Sequence, residues 1–289
     1  MAEISNTWLD KDFIITAEIF PPKGTNIESF KRKAGILKDY VDAVNVTDNQ
    51  RAVMRTSSLA LSKILLDMGI EPVYQLTCRD RNRLAIQSDL LGAWLLGIRT
   101  VLALSGDFPT HGDHPGAKPV YDLDTVQLIY TISNLNKGID LAGNKLEGKT
   151  DFIIGGVCNP LSFNPEIEYL KIKKKIEAGA VFFQTQAVYE VEKYRDFVIK
   201  LKKEFPHVKF IAGVMPLKSS KMAYFLNEKV PGIVVPEKII ERMENSTNPV
   251  KTGILIIVEI IRRLKEFADG VHIMAIKMEE KIPYILERI

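Results

Sequence analysis

The stretch Ala17-Glu18-Ile19-Phe20-Pro21-Pro22-Lys23 closes an apolar run that begins at Asp12, and it carries one acid near its end. The double proline removes two backbone N–H donors, so a strand built from this run ends there. Functional side chains of parallel α/β proteins collect at the carboxyl ends of the strands. We therefore predict a catalytic role for Glu18. The alternative is an ordinary strand-end acid, exposed or ion-paired, because acids are rarely buried unless they are paired.

Similar runs rich in Val, Ile and Phe recur, and each precedes a segment with the apolar spacing of a helix. The predicted strands are Asp12–Phe20, Ala43–Thr47, Pro72–Cys78, Thr100–Ser105, Phe152–Cys158, Ala180–Thr185, Lys209–Met215 and Val271–Ile276. Amphipathic segments follow several of them, for example Ser57–Met68, Arg83–Leu96 and Pro165–Ala178. Eight largely apolar strands that alternate with helices predict a closed (β/α)8 barrel, a TIM barrel, in one α/β domain over residues 1–289. An open doubly wound sheet is the alternative.

The chain length and composition agree with a single barrel, and the charge limits the classes of binding partner that we expect. The chain has 289 residues, 46% of them hydrophobic, and a barrel commonly uses about 250. Its 39 basic and 36 acidic residues are interspersed and give a net charge of +3. Because no large field of one sign results, we expect small-molecule or protein partners and neither nucleic acid nor membrane.

The two cysteines indicate the redox compartment. Cys78 and Cys158 lie far apart, each inside an apolar run, as buried free thiols do in a reducing environment. The segment Met1–Lys11 contains acids and lacks an apolar core, and no run approaches the roughly 20 apolar residues of a membrane span. We expect a cytoplasmic protein without a targeting segment or anchor.

Polar residues follow the predicted strands, as a site at the carboxyl ends requires. They are Thr47-Asp48-Asn49-Gln50, Thr77-Cys78-Arg79-Asp80, Ser105-Gly106-Asp107, Cys158-Asn159-Pro160 and Gln184-Thr185-Gln186. The connection Gly106–Asp122 is long and rich in proline and glycine, which predicts a functional loop.

Several site classes find no support in the sequence. No Gly-x-Gly-x-x-Gly follows a strand, and no Gly-Lys-Ser/Thr phosphate loop is present. His111 and His114 have ligand-like spacing but only Asp113 as a nearby acid, so we predict no metal site. His207 and His272 stand alone in the sequence, and neither cysteine has a histidine base placed beside it.

Several motifs occur in a shared order along nearly the whole chain. They are Glu18-Ile19-Phe20-Pro21-Pro22, Val44-Asn45-Val46-Thr47, Leu76-Thr77-Cys78, Ala103-Leu104-Ser105-Gly106-Asp107-Phe108-Pro109, Lys175-Ile176-Glu177-Ala178-Gly179-Ala180, Gln186 and Ile211-Ala212-Gly213-Val214-Met215-Pro216. Together they resemble the methylenetetrahydrofolate reductase family, flavin-dependent oxidoreductase barrels of one-carbon metabolism and methionine biosynthesis.

The resemblance implies roles for individual residues. Glu18 matches the general acid that protonates the folate nitrogen when methylenetetrahydrofolate is reduced to methyltetrahydrofolate, and Asp107 matches the acid beside flavin and pterin. Gln186 and Met222 fall at substrate-binding positions. The positions that match flavin contacts, to FAD with FMN as an alternative, are Thr47, Gln75, Ser105, Gly106, Asp107, Tyr121, Asp122, Gly155, Glu168 and Lys175. Gly155 has a second explanation, close packing between strands.

The chain also departs from the family pattern. Gln75 replaces a frequent histidine, Ser105 replaces an arginine before Gly-Asp, and Asp48 replaces a tyrosine. Met222, Leu226 and Met278 stand where the family has glutamine, phenylalanine and arginine around the nicotinamide or folate. The electron donor is therefore predicted to be either NAD(P)H or an electron-transfer partner protein, within a homo- or hetero-oligomer.

Two other functions remain open at this stage. A pterin-binding methyltransferase-type barrel would share the fold and work without flavin. A non-catalytic barrel could act as a subunit of a larger complex, although the joint presence of Glu18, Thr47, Asp107 and Gln186 argues against it.

Overall fold

The computed structural model describes residues 8–289, and within this range eight parallel strands form a closed barrel in sequence order. The strands are β1 (Ile14–Ile19), β2 (Ala43–Val46), β3 (Pro72–Thr77), β4 (Thr100–Leu104), β5 (Ile153–Cys158), β6 (Phe182–Ala187), β7 (Lys209–Val214) and β8 (Gly270–Ile273). The helices are α1 (Glu28–Leu37), α2 (Ser58–Asp67), α3 (Arg83–Leu95), α4 (Thr125–Asn136), α5 (Pro165–Ala178), α6 (Val191–Glu204), α7 (Ser220–Lys229), α8 (Glu237–Glu244), α9 (Pro249–Leu264) and α10 (Ile282–Leu286). The predicted (β/α)8 barrel is confirmed, and the open sheet is wrong.

Pairing between the first and last strands closes the barrel. Thr16 on β1 lies opposite Ala43 on β2 and opposite His272 on β8. The eighth predicted strand was too long, because β8 ends at Ile273. Beyond it, the N–H of Ile276 donates to the carbonyl of Met274, and this tight turn replaces the strand ladder.

The amino end of the barrel interior is apolar and closed. Side chains of alternate strand positions form one cluster there, made of Ile14, Ala43, Val73, Leu102, Phe182 and Ile211 with Trp8 and Leu9. Trp8 packs edge-on against the Phe182 ring at 5.3 Å, and its Nε1 donates to Thr100 Oγ1 at 3.2 Å. This packed floor leaves ligands only the opposite end of the barrel.

Towards the carboxyl ends, the same inward-facing positions become polar. Because side chains alternate along a strand, residues two and four positions after the level of the floor also face the interior. They include Thr16, Glu18, Asn45, Thr47, Gln75, Thr77, Gln184 and His272, all of them buried. The chain thus builds an apolar floor and a polar upper interior in one barrel.

The outward faces of the strands pack against the helices and form the main hydrophobic core. The longest described helix, α9, buries eight residues and contacts β7 and β8 as well as the helices α6, α8 and α10. Among the described residues, no helix is long and apolar enough to cross a membrane.

Candidate active site

Glu18 is a buried acid at the carboxyl end of β1. Its side chain is 6% exposed, and its Oε1 atom has no hydrogen-bond partner within the described protein. Its Oε2 atom lies 3.7 Å from Nε2 of His272 on the neighbouring strand β8. A buried oxygen without a protein partner is costly, so Oε1 is available to a ligand in the barrel.

His272 is one end of a chain of hydrogen-bonded, buried polar side chains that crosses the barrel. Its Nδ1 lies 2.9 Å from Thr16 Oγ1, and Thr16 in turn accepts from Gln184 Nε2 at 3.1 Å. Gln184 exchanges two hydrogen bonds with Asn45 on the opposite side. Sequence reasoning missed this group, since His272 stood alone in the sequence. The available signal was the two-residue alternation that puts Thr16, Glu18 and His272 on inward-facing positions.

Thr47 is a second inward-facing group without a partner. Its side chain is 1% exposed, and its Oγ1 atom makes no hydrogen bond within the described protein. Gln75, on the next strand, is also buried. A hydroxyl group and an amide at this place can donate to and accept from a planar heterocycle that carries N–H and C=O groups.

Asp48 holds the ends of β2 and β3 together. Its Oδ2 atom accepts from the backbone N–H and the hydroxyl group of Thr77, both at 2.9 Å, and from Arg81 Nη1 at 2.8 Å. The carboxylate is thus satisfied within the protein. Asp48, which departs from the family pattern, therefore has a structural role: it links the end of β2 to Thr77 and Arg81.

The turn Ser105-Gly106-Asp107 rests on Arg79, which is almost fully buried. Gly106 has a φ of +85°, and a Cβ atom there would lie 3.0 Å from Cβ of Arg79. Arg79 Nη1 donates to the carbonyl of Asp107 at 3.3 Å, while its Nε and Nη2 bind Asp80. The Asp107 carboxylate is exposed and accepts from the N–H of Arg51 at 2.9 Å. Arg79 therefore supports the turn that carries Asp107, a role that the sequence did not reveal.

The loop after β4 folds back over this turn. The Tyr121 hydroxyl group donates to the carbonyl of Gly106 at 2.9 Å, and the Tyr121 and Phe108 rings stack with centroids 5.8 Å apart. Burial raises the pKa of the Tyr121 phenol, so it stays protonated as a donor. The loop therefore presents an aromatic surface beside Asp107.

The same loop is bonded to the loop after β1 and to the loop after β2. The Asp113 carboxylate binds the ammonium group of Lys23 and accepts from the N–H of Met54 at 2.9 Å. These hydrogen bonds lower the pKa of Asp113 below its usual range. Gly112 lies directly against the backbone of Ala52, where a Cβ atom would come within 1.8 Å of the carbonyl oxygen. The position of the predicted functional loop is thus fixed by the contacts of Asp113 and Gly112.

Three other predicted flavin contacts are bonded within the protein. Asp122 forms a two-pronged ion pair with Arg83, at 2.8 and 2.9 Å, whose hydrogen bonds lower the pKa of Asp122 to about 2. Glu168 Oε1 accepts from the N–H of Asn159 at 2.8 Å. Lys175 Nζ donates to the carbonyl of Val157 at 2.7 Å, and burial lowers the pKa of its ammonium group. Their roles toward a flavin stay predictions.

Gly155 faces the apolar interior. A Cβ atom at this position would lie 2.1 Å from the Phe182 ring, so the glycine makes room for that ring. Close packing, the second explanation from the sequence, accounts for Gly155 without a cofactor.

The remaining predicted positions differ in exposure. Gln186 is exposed, next to an irregular pairing of β6 with β7, and Ser105 is also exposed. Met222 is half-buried in the first turn of α7. Leu226 and Met278 are buried in the main hydrophobic core.

The described histidines and cysteines form no metal centre. No group of three or more His, Cys, Asp and Glu side chains in residues 8–289 has the geometry to hold a metal ion. Cys78 and Cys158 are buried free thiols. Burial raises the pKa of Cys78 to about 12 and raises that of Cys158 further, so neither resembles an activated nucleophile.

A closed barrel with a buried acid at the carboxyl ends of its strands, one of whose oxygens has no protein partner, has the arrangement of the (β/α)8 barrel enzymes as a class. The chain belongs to the methylenetetrahydrofolate reductase family, whose family model matches residues 3–289. The resemblance inferred from the motifs is thereby confirmed.

Individual relatives agree with the family. Methylenetetrahydrofolate reductase 1 of Schizosaccharomyces pombe is 24% identical over 290 residues, which cover 94% of this chain and 45% of that protein. The 5,10-methylenetetrahydrofolate reductase of Buchnera aphidicola is 27% identical over 222 residues, 74% of this chain and 70% of that protein. The chain therefore spans less than half the length of the fission yeast relative.

A solved structure shows the same fold. An uncharacterized protein from Clostridium thermocellum that binds two copies of 5-methyl-5,6,7,8-tetrahydrofolic acid superposes with a TM-score of 0.67 at 20% identity. The match covers 96% of this chain and 94% of that one.

Proposed function

We propose that the chain catalyses flavin-dependent reduction of 5,10-methylenetetrahydrofolate to 5-methyltetrahydrofolate. The observation that carries the proposal is Glu18, a buried acid whose Oε1 has no protein partner, at the carboxyl end of β1. The names of the relatives support this reaction, and the folate bound by the Clostridium thermocellum protein supports the ligand class.

Glu18 acts as the general acid in this proposal. It gives the proton on Oε1 to a folate nitrogen, the five-membered ring opens, and the exposed methylene carbon becomes able to accept a hydride. A bound flavin supplies that hydride. One proton and one hydride together convert the methylene bridge into the methyl group, so the reaction balances.

Other residues hold and orient the two molecules. Thr47 and Gln75 supply a hydroxyl group and an amide for the flavin ring, and Tyr121 supplies an aromatic surface next to the Ser105-Gly106-Asp107 turn. Asp107 and Gln186 hold the pterin. FAD is the proposed flavin, with FMN as the alternative.

Replacement of Glu18 by glutamine tests this assignment. A general acid contributes roughly 100- to 10,000-fold, so reoxidation of the reduced flavin by methylenetetrahydrofolate should slow by that factor in Glu18→Gln. Flavin content and reduction by an artificial donor should stay at the wild-type level. The measurement is single-turnover flavin absorbance after mixing with the folate.

Glu71→Gln is the matched control. Glu71 is a partly buried acid at the amino end of β3, where it accepts from Thr100 Oγ1. Its replacement should leave the reoxidation rate unchanged. Wild-type reoxidation in Glu18→Gln would reject Glu18 as the acid, and a purified chain that cannot hold flavin would reject the function.

We propose further that an electron-transfer partner protein reduces the flavin. Leu226 and Met278 are buried in the apolar core, and Met222 is half-buried, so these three side chains offer no polar contacts to a nicotinamide. Without such contacts, little binding free energy offsets the entropy that a nucleotide loses when it becomes ordered in the site.

Stopped-flow mixing of the oxidised protein with NADH or NADPH tests the electron donor. We expect slow flavin bleaching that does not saturate, whereas dithionite reduces the flavin at once. Rapid and saturable bleaching by either nucleotide would overturn the partner proposal and identify a pyridine nucleotide as the donor.

A further inference from the structure

A chain of buried polar side chains crosses the barrel beneath Glu18, and the reaction proposed above leaves it without a role. Its members Asn45, Gln184, Thr16 and His272 come from four strands, and each is at most 4% exposed. Burying polar groups costs free energy unless they are hydrogen-bonded, so the pattern of donors and acceptors among them is constrained.

The two amides form a cyclic pair. Asn45 Nδ2 donates to Gln184 Oε1 at 2.7 Å, and Gln184 Nε2 donates to Asn45 Oδ1 at 3.2 Å. The second N–H of Gln184 then points to Thr16 Oγ1 at 3.1 Å, with His272 Nδ1 at 3.4 Å from the same nitrogen. Because Thr16 accepts from Gln184, its hydroxyl proton is left to donate elsewhere.

Among the described residues, the acceptor in contact with that hydroxyl group is Nδ1 of His272, because its other contact, Gln184 Nε2, is a donor. Thr16 Oγ1 lies 2.9 Å from His272 Nδ1, and a hydroxyl group that donates there requires Nδ1 to be unprotonated. The neutral imidazole then carries its proton on Nε2. This is the ring nitrogen that faces Glu18, 3.7 Å from Oε2.

We propose that His272 is a positioning residue for Glu18, held by Thr16, Gln184 and Asn45 in the tautomer with its proton on Nε2. The inference rests on the proposed function. The Nε2–H group engages Oε2, so the transferable proton lies on Oε1, the oxygen without a protein partner. The 3.7 Å separation exceeds a formed hydrogen bond, and it shortens when substrate orients the acid. When the proton passes from Oε1 to the folate nitrogen, His272 keeps its own proton and stabilises the carboxylate that remains.

The tautomer can be measured directly in the flavin-loaded wild-type protein. The chain has four histidines, so nitrogen-15 labelling of histidine gives a simple long-range spectrum in which protonated and unprotonated ring nitrogens are well separated. The His272→Gln variant assigns the signal. We expect Nε2–H for His272, and an Nδ1–H tautomer would overturn the inference without any need for a functional variant.

Variants of Thr16 test the consequence for catalysis. Thr16→Val removes the hydroxyl group, frees the tautomer and should slow reoxidation by methylenetetrahydrofolate by up to about 100-fold, the size of a misorientation effect. Thr16→Ser keeps the hydroxyl group and should restore most of the rate. Thr131→Val is the control, because Thr131 is equally buried and donates to the carbonyl of Gln127 within α4. A wild-type rate in Thr16→Val would overturn the inference.

Variants of His272 separate the two ring nitrogens. The side-chain amide nitrogen of glutamine reaches the place of Nε2, and that of asparagine reaches the place of Nδ1. We expect His272→Gln to keep more reoxidation activity than His272→Asn, and the reverse order would contradict the proposed tautomer.

The outcomes distinguish this inference from the function on which it rests. A flavin-loaded wild-type protein that methylenetetrahydrofolate does not reoxidise rejects the proposed function. A wild-type protein that turns over with His272 in the Nδ1–H form rejects only the positioning role.

Discussion

At the scale of single residues, Thr47 shows how a polar group can be placed for a ligand at a cost to the free protein. Its hydroxyl group is buried at the end of β2 without a protein partner, whereas the neighbouring Thr77 hydroxyl group is bonded to Asp48. An unpartnered buried hydroxyl group destabilises the folded chain, and a bonded one stabilises it.

Thr47→Val should therefore separate stability from binding. We expect the flavin-free protein to be as stable as wild type or more stable, while flavin affinity falls about tenfold, as the loss of one hydrogen bond predicts. Thr77→Val should instead lower the free energy of unfolding by about 1–3 kcal/mol, because it leaves Asp48 short of a donor. Urea unfolding and flavin titration measure the two quantities. Destabilisation of the flavin-free Thr47→Val protein would show that the hydroxyl group has a partner within the protein.

At the scale of elements, the loop after β4 depends on a close approach to the loop after β2. Asn49, Arg51 and Ala52 adopt positive φ angles, which are uncommon for residues other than glycine. The Arg51 N–H donates to Asp107, and the Ala52 carbonyl lies against Gly112. The positive φ angles in the loop after β2 thus allow it to hold the loop after β4 beside the candidate site.

Gly112→Ala should unseat the loop, since the new Cβ atom would meet backbone atoms that cannot rotate away. We expect faster tryptic cleavage at Lys118 and weaker flavin binding, measured by mass spectrometry of timed digests and by titration. Gly116→Ala is the control in the same loop, because a Cβ atom there has no neighbour within 4 Å. Equal cleavage rates in the two variants would mean that the contact with Ala52 does not hold the loop.

At the scale of the whole molecule, the barrel is divided into a packed floor and a polar mouth. The Phe182 ring fills the interior between Trp8 and Gly155, and this arrangement needs a residue without a side chain on β5. Protein interiors are close-packed, so the space between Phe182 and Gly155 leaves little room for an added methyl group.

Gly155→Ala should destabilise the barrel by about 1–3 kcal/mol through overpacking. Adding Phe182→Leu should recover part of that loss, because the two positions share one space. Gly35→Ala, on the exposed face of α1, should instead stabilise the protein by about 0.5–1 kcal/mol. Thermal unfolding of the flavin-free variants measures these changes. If Gly155→Ala lowered only flavin affinity, a cofactor contact would explain this glycine better than packing does.

The sequence by itself determined the barrel, the end at which its polar groups gather and the family. These follow from local patterns, because apolar runs, double prolines and two-residue alternation act over a few residues. The sequence also placed Glu18 at the end of β1, and the structure adds that it is buried with one oxygen unpartnered. The predicted ends of strands were less accurate, as β8 shows, since tight turns compete locally with the ladder.

Only the tertiary structure decided which side chains meet. His272 lies beside Glu18 because closure of the barrel pairs the last strand with the first, and nothing local in the sequence specifies that contact. Gly155 serves packing because Phe182, from the next strand, turns its ring inward. Lys175 is buried against the Val157 carbonyl, although a helical lysine is usually exposed. The physical reason is the same for all three contacts. Which side chains meet across the barrel depends on the stagger and closure of all eight strands together, whereas a sequence pattern reports only the local environment of a residue.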